Sequence, residues 1–159
     1  MTDATQPSSA PLDGDAYGVS HIGLCVSDLA RSLRFYCDGL GFAPVIAYEI
    51  GDEAAAALEV PTPVALTSQM IAKGTLMIEL LHYASPGVIG TPSAQRHQLG
   101  LTHLSFLVED VDAAAARLVE YGGTVVDSTR TSMKSETGST EIVFLADPDG
   151  TRVELMKLG

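Results

Sequence analysis

Apolar and polar side chains alternate from Ser20 to Val26, which places Ile22, Leu24 and Val26 on one face of an extended segment and His21, Gly23 and Cys25 on the other. The period then changes. Asp28 stands where a helix N-cap belongs, and Leu29, Leu33, Phe35 and Tyr36 give the next stretch one apolar side before Gly39 and Gly41 stop it. The same succession returns 82 residues later: S-H-I-G-L-C-V-S-D-L-A from Ser20 is answered by T-H-L-S-F-L-V-E-D-V-D from Thr102. At that offset His21 meets His103, Asp28 meets Asp110 and Gly41 meets Gly123. The second helix buries Val111, Ala114, Ala115 and Leu118 and ends at Gly122 and Gly123.

The two copies also close alike, with G-T-L-M-I-E-L-L from Gly74 and G-T-R-V-E-L-M from Gly150. Between helix and closing strand each copy has room for two more strands, the better marked being Val64–Ala72 and Glu141–Ala146. Turns at Ala72–Gly74 and Asp147–Gly150 separate these from the closing strands. Each copy therefore reads strand, helix and three strands, and the predicted class is α+β. The expected organisation is one domain over 18–159: a first module over about 19–83, a linker over 84–99 with Pro86, Gly87, Gly90 and Pro92, and a second module over about 101–157. An extra stretch from Tyr48 to Pro63 contains a helix-prone run, Asp52–Leu58, expected as a short lid helix. Thr129–Ser139 is polar and is expected to be a mobile loop at a cavity mouth.

Composition narrows the possible roles. The chain has 159 residues, 46% of them hydrophobic, enough for a buried core. Its acids outnumber Lys and Arg by 20 to 9, a net charge of −11, which opposes binding to nucleic acid or to an anionic membrane surface. No apolar run is long enough to span a bilayer. Residues 1–17 read as a disordered acidic tail without the features of a secretory signal. Two cysteines, Cys25 and Cys37, cannot make a disulfide framework, so a reducing cytoplasm is the expected location. Open sheet edges in two such short modules need covering, which predicts a homodimer.

The candidate chemistry lies at matched positions. His21 and His103 begin the first strand of each copy, and Glu79 and Glu154 sit inside the closing strands, 58 and 51 residues later. A carboxylate among Met77, Ile78, Leu80 and Leu81, or among Val153, Leu155 and Met156, is costly unless a positive group meets it. Two imidazoles and two carboxylates, brought together, would bind one divalent ion. Taken singly, each residue has a plainer reading as a hydrogen-bonded His or a solvent-facing Glu; the matched recurrence favours the metal.

These motifs resemble those of the vicinal-oxygen-chelate superfamily, which includes glyoxalase I, methylmalonyl-CoA epimerase, extradiol dioxygenases and bleomycin- and fosfomycin-resistance proteins. The resemblance runs from about Val19 to Lys157 through H-I-G-L-C-V-S-D-L-A-R-S-L-R-F-Y, G-L-G-F, I-E-L-L, T-H-L-S-F-L-V-E-D-V-D-A and D-P-D-G-T-R-V-E-L. It implies two paired β-α-β-β-β modules whose curled mixed sheet surrounds a shared cavity, with His21, Glu79, His103 and Glu154 at the metal-binding positions. The metal is expected to be Ni, Co, Mn, Fe(II) or Zn, since N/O ligands suit all of these.

Four protein ligands on an octahedral ion leave two positions for adjacent oxygens of a small-molecule substrate. The activity this implies is that of a lyase or isomerase of the glyoxalase or epimerase type, with Glu79 or Glu154 as the catalytic base that removes a proton beside a chelated carbonyl. An extradiol Fe(II) dioxygenase is the alternative enzyme: His21, His103 and Glu154 would be its facial triad, but Glu79 would then fill a position that dioxygen needs. A metal-free protein that sequesters an antibiotic is the non-enzymatic alternative. The glutathione clamp of glyoxalase I is not evident, because Cys25 and Tyr83 stand where bacterial glyoxalase I carries Arg and Asn; Arg31, Arg34, Lys134 or Arg152 remain as substitutes. Cys25, Met77, Tyr83, Ser105 and Arg152 are the candidate substrate-binding residues. Cys25 also has a plainer reading as a small buried residue, and Arg152 as an ordinary ion-pair partner. His82, opposite Glu79, and His97, in the linker, are expected at the surface.

Overall fold

A computed structural model describes residues 18–136 and 138–159. The acidic tail expected over residues 1–17 lies outside the described residues. Eight strands form two four-stranded mixed sheets. In the first module β1 (Ile22–Cys25), α1 (Leu29–Leu33), β2 (Ala43–Ile50), α2 (Ala55–Leu58), β3 (Ala65–Lys73) and β4 (Leu76–Ser85) give the sheet order β1-β4-β3-β2. The second repeats it with β5 (Leu104–Leu107), α3 (Val111–Glu120), β6 (Thr124–Ser135), β7 (Gly138–Ala146) and β8 (Arg152–Leu158), ordered β5-β8-β7-β6. In each, the first strand pairs parallel with the last and the other pairs are antiparallel.

The helix starts are as expected. Asp28 accepts from the Arg31 N–H and Asp110 from the Ala113 N–H, both at 2.9 Å, satisfying donors that a helix N-terminus leaves open. α1 continues as a π-helical segment, Arg34–Gly39, which buries Phe35 and Tyr36, and Gly41 follows at φ +79°. Asp52–Leu58 is helical as expected, a 3₁₀ turn leading into α2. Thr129–Ser139 is not a loop. It belongs to the β6–β7 hairpin, where Thr131 to Ser135 pair with Ile142 to Gly138. The Thr129 hydroxyl bonds the Phe144 N–H at 2.9 Å, so polarity here satisfies an irregular strand pairing. The stretch expected as a linker from residue 84 begins later, because Ala84 and Ser85 complete β4.

Both modules contribute to one core. Leu24, Phe35, Ile71, Ile78 and Leu80 from the first cluster with Leu104, Leu118, Val143, Val153 and Leu155 from the second. Edge-to-face aromatic contacts run Phe35–Tyr36–Phe42–Phe106, and the last crosses between modules at 6.0 Å. Gly123 is required by close approach: a Cβ there would lie 2.9 Å from the Phe35 ring and 3.0 Å from the Leu118 carbonyl oxygen. Polar contacts seal the same junction. Asp149 accepts from the Ser27 N–H (2.9 Å), the Ser27 hydroxyl (2.5 Å) and Arg31 (2.7 Å), and Arg117 donates to the carbonyls of Asp38 and Gly39. β2 is exposed along nearly its whole length, with Val45, Ile46 and Tyr48 open to solvent.

Candidate metal centre

Strand alternation decides where the site residues point. Ile78 and Leu80 are fully buried in the shared core, so Glu79 between them projects from the opposite face of the sheet. Val153 and Leu155 do the same for Glu154. Parallel pairing sets Gly23 beside Glu79 and Ser105 beside Glu154, so the His at each strand start lies on the carboxylate's face. His21 Nε2 is 3.1 Å from Glu79 Oε2, and His103 Nε2 is 3.7 Å from Glu154 Oε2. The second pair is the more enclosed: the Glu154 side chain is 9% exposed against 20% for Glu79. The His103 ring also stands edge-on to Phe144 at 5.2 Å.

Each of the four residues has one hydroxyl partner. Ser20 Oγ lies 3.0 Å from His21 Nδ1, and Thr102 Oγ1 lies 2.9 Å from His103 Nδ1. Ser68 donates to Glu79 Oε1 and Ser105 to Glu154 Oε2, both at 2.5 Å. The two carboxylates are therefore held differently. Glu79 meets Ser68 with one oxygen and His21 with the other. Glu154 meets both partners with Oε2, and among the described residues no hydrogen bond falls on Oε1.

The structure brings the four candidates together as two His–Glu pairs. Among the described residues no group of three or more His, Cys, Asp or Glu forms a metal site. Each pair fits half of the expected donor set: an imidazole nitrogen and a carboxylate oxygen suit a borderline divalent ion, and among the described residues the enclosed Glu154 has no Lys or Arg ion pair to balance its charge.

The other candidates lie around these pairs. Met77 and Tyr83 are half-buried on the Glu79 face of β4. Burial, then the neighbouring Cys25 and Glu79, push the Tyr83 hydroxyl's pKa upward. Cys25 is exposed, not the small buried residue of its plainer reading, because β1 is an edge strand and this face is not covered by core. It borders a recess of about 200 Å³ shared with Ser27, Asp149 and Val88 to Pro92, and burial followed by the Asp149 charge raises its thiol pKa. Ser105 binds Glu154 directly. Arg152 donates to the Gly150 carbonyl at 3.0 Å instead of joining an ion pair. His97 is exposed, while His82 is half-buried on β4, its register partner being Thr67.

Two participants lack a sequence signal. Ser68 lies in T-S-Q-M-I, unremarkable as text, and becomes a partner of Glu79 only through the β3–β4 register. Arg96, in the linker, donates to the carbonyls of Ser93 and Thr102; burial and the adjacent Arg152 charge lower its pKa.

The comparisons agree with this architecture. Residues 18–155 match the model of the Glyoxalase/Bleomycin resistance protein/Dioxygenase superfamily. The chain is 33% identical over 137 residues to the uncharacterized protein YaeR of Escherichia coli, covering 86% of this chain and 93% of that one. It is 28% identical to a probable lactoylglutathione lyase of Synechocystis, covering 86% and 92%. A catechol-2,3-dioxygenase of Bacillus subtilis is 27% identical over 86% of this chain, which spans only 41% of that protein. Among solved structures, a glyoxalase family protein from Bacillus cereus superposes with a TM-score of 0.76 over 94% of this chain and 99% of its own, at 19% identity, a likeness of fold. With the repeat, the two sheets and the family match in agreement, the chain belongs to the Glyoxalase/Bleomycin resistance protein/Dioxygenase superfamily.

Proposed function

We propose that this protein is a divalent-metal-dependent lyase or isomerase of the glyoxalase or epimerase type, which removes a proton beside a chelated oxygen of a small substrate. The observation that carries the reading is the recurrence, in both modules, of a His–Glu pair projecting from the sheet face opposite the core. His21, Glu79, His103 and Glu154 would hold the ion. Because each module supplies only half of this set, a second copy of the chain is the proposed means of completing it, which also agrees with the open β2 edge. A bound ion of this class supplies Lewis acidity toward two adjacent substrate oxygens.

The chain's own residues supply the rest. Glu154 is the proposed base, since its Oε1 carries no hydrogen bond from the described residues and is available to accept a proton. Phe144, the register partner of Glu154 and edge-on to His103, limits water around that carboxylate. Arg152 and Arg96 place positive charge at this end of the second module, which suits a substrate with an anionic group. Cys25, Met77 and Tyr83 are proposed to contact substrate at the first pair.

The test is exchange of a substrate's acidic C–H proton with solvent deuterium, with and without added Ni, Co, Mn or Zn. Metal-dependent exchange, slowed by about a hundredfold or more in Glu154→Gln, is expected. The similarity to a catechol-2,3-dioxygenase supports a second reading as an extradiol Fe(II) enzyme. Oxygen uptake with a catechol in the presence of Fe(II), without proton exchange, would favour it instead. Tight binding of a bulky natural product with neither activity and no metal would favour sequestration.

A further inference from the structure

We propose that Ser20, Ser68, Thr102 and Ser105 are positioning residues of the metal centre, one hydroxyl for each of the four ligand side chains. The inference rests on the metal-binding reading above and adds to it the groups that aim the ligands. Metal-binding imidazoles and carboxylates depend on outer partners that fix their orientation, and losing such a partner costs about 10- to 100-fold in affinity.

Ser20 and Thr102 are the residues directly before His21 and His103, and both hydroxyls lie within hydrogen-bond distance of Nδ1. That leaves Nε2, the nitrogen facing the carboxylate, as the ligating atom in both halves. An ionised carboxylate only accepts, so the hydroxyls of Ser68 and Ser105 are the donors to Glu79 and Glu154.

The carboxylate partners are not copies of one another. Ser105 comes from β5, directly opposite Glu154 in the register. The matching place in the first module is Gly23, which has no side chain to offer, and the hydroxyl comes from the other neighbouring strand, as Ser68 of β3. The same partner chemistry thus reaches each Glu by a different strand, which a shared ancestral position does not explain. Ser68 is also fully buried, and its hydroxyl donates to Glu79 Oε1. A buried hydroxyl at a strand position that would accept an apolar side chain is a cost to the fold that the bond to Glu79 offsets.

The experiment is equilibrium titration of the full-length protein with Co²⁺ and Ni²⁺, read by calorimetry and by the visible Co²⁺ spectrum. Ser105→Ala and Ser68→Ala are each expected to weaken binding about 10- to 100-fold and to alter the Co²⁺ bands. Ser105→Thr, which restores the hydroxyl, is expected to recover both. Ser32→Ala is the control, since Ser32 is buried with no partner for its hydroxyl among the described residues and stands outside the site. Ser105 is exposed, so its variants carry the test even if Ser68→Ala does not fold. Wild-type binding with unchanged affinity and spectrum in Ser105→Ala would overturn this inference alone. No binding by the wild-type protein would overturn the metal reading itself, and this inference with it.

Discussion

The Tyr36 hydroxyl donates to Asp147 Oδ2 at 2.8 Å, a buried bond between the helical segment of the first module and the β7–β8 turn of the second. Asp147 Oδ1 meanwhile accepts from the N–H groups of Asp149 and Thr151 at 2.9 and 2.8 Å. One carboxylate therefore both shapes its own turn and anchors the neighbouring module. Tyr36→Phe keeps the ring packing and removes the donor. The expected result is a loss of about 1–3 kcal/mol, the usual cost of stranding a buried hydrogen-bonding group. Urea unfolding monitored by circular dichroism checks it, and an unchanged midpoint would show that this bond contributes nothing to the junction.

The same residue predicts a pH effect. Burial raises the Asp147 pKa above the ordinary carboxylate value, against the lowering effect of Tyr36 and the two N–H groups. The folded state then binds the proton more tightly than the unfolded state. Its contribution to stability is fully present below the unfolded pKa and is lost as pH rises through the raised folded value. Asp147→Asn is expected to flatten the stability profile in that window. Thermal melts in a series of buffers across the weakly acidic range test this, and parallel profiles for the two proteins would refute it.

Metal content separates ligand histidines from bystanders. His103→Ala is expected to lose most bound divalent ion after dialysis, while His97→Ala, altering an exposed residue between the modules, retains it. Elemental analysis of the purified variants gives the answer, and equal retention by both would count against His103 as a ligand.

Self-association is the fourth expectation. Sedimentation velocity at micromolar protein should show a dimer, and deletion of residues 1–17 should leave it unchanged. A monomer under these conditions would leave the two His–Glu pairs as separate half-sites. The exposed apolar residues of β2, Val45, Ile46 and Tyr48, indicate a second test: Ile46→Asp is expected to weaken any dimer that covers this strand.

Local pattern alone determined the repeated modules, the two helix caps at Asp28 and Asp110, and the opposition of Glu79 to its apolar neighbours. Each is a relation between residues close in the chain, where side-chain period and capping chemistry leave a direct trace. The matched His and Glu positions were legible because one pattern occurs twice. Other features depended on relations that local pattern does not carry. Ser68 reaches Glu79 through strand register, Asp147 reaches Tyr36 through the docking of one module on the other, and the polar Thr129–Ser139 stretch is a hairpin because its backbone groups find partners across β7. Tertiary structure likewise decided that the candidate ligands meet as two pairs. A sequence repeat equates His21 with His103, but the packing of the modules sets how far apart such equivalents lie.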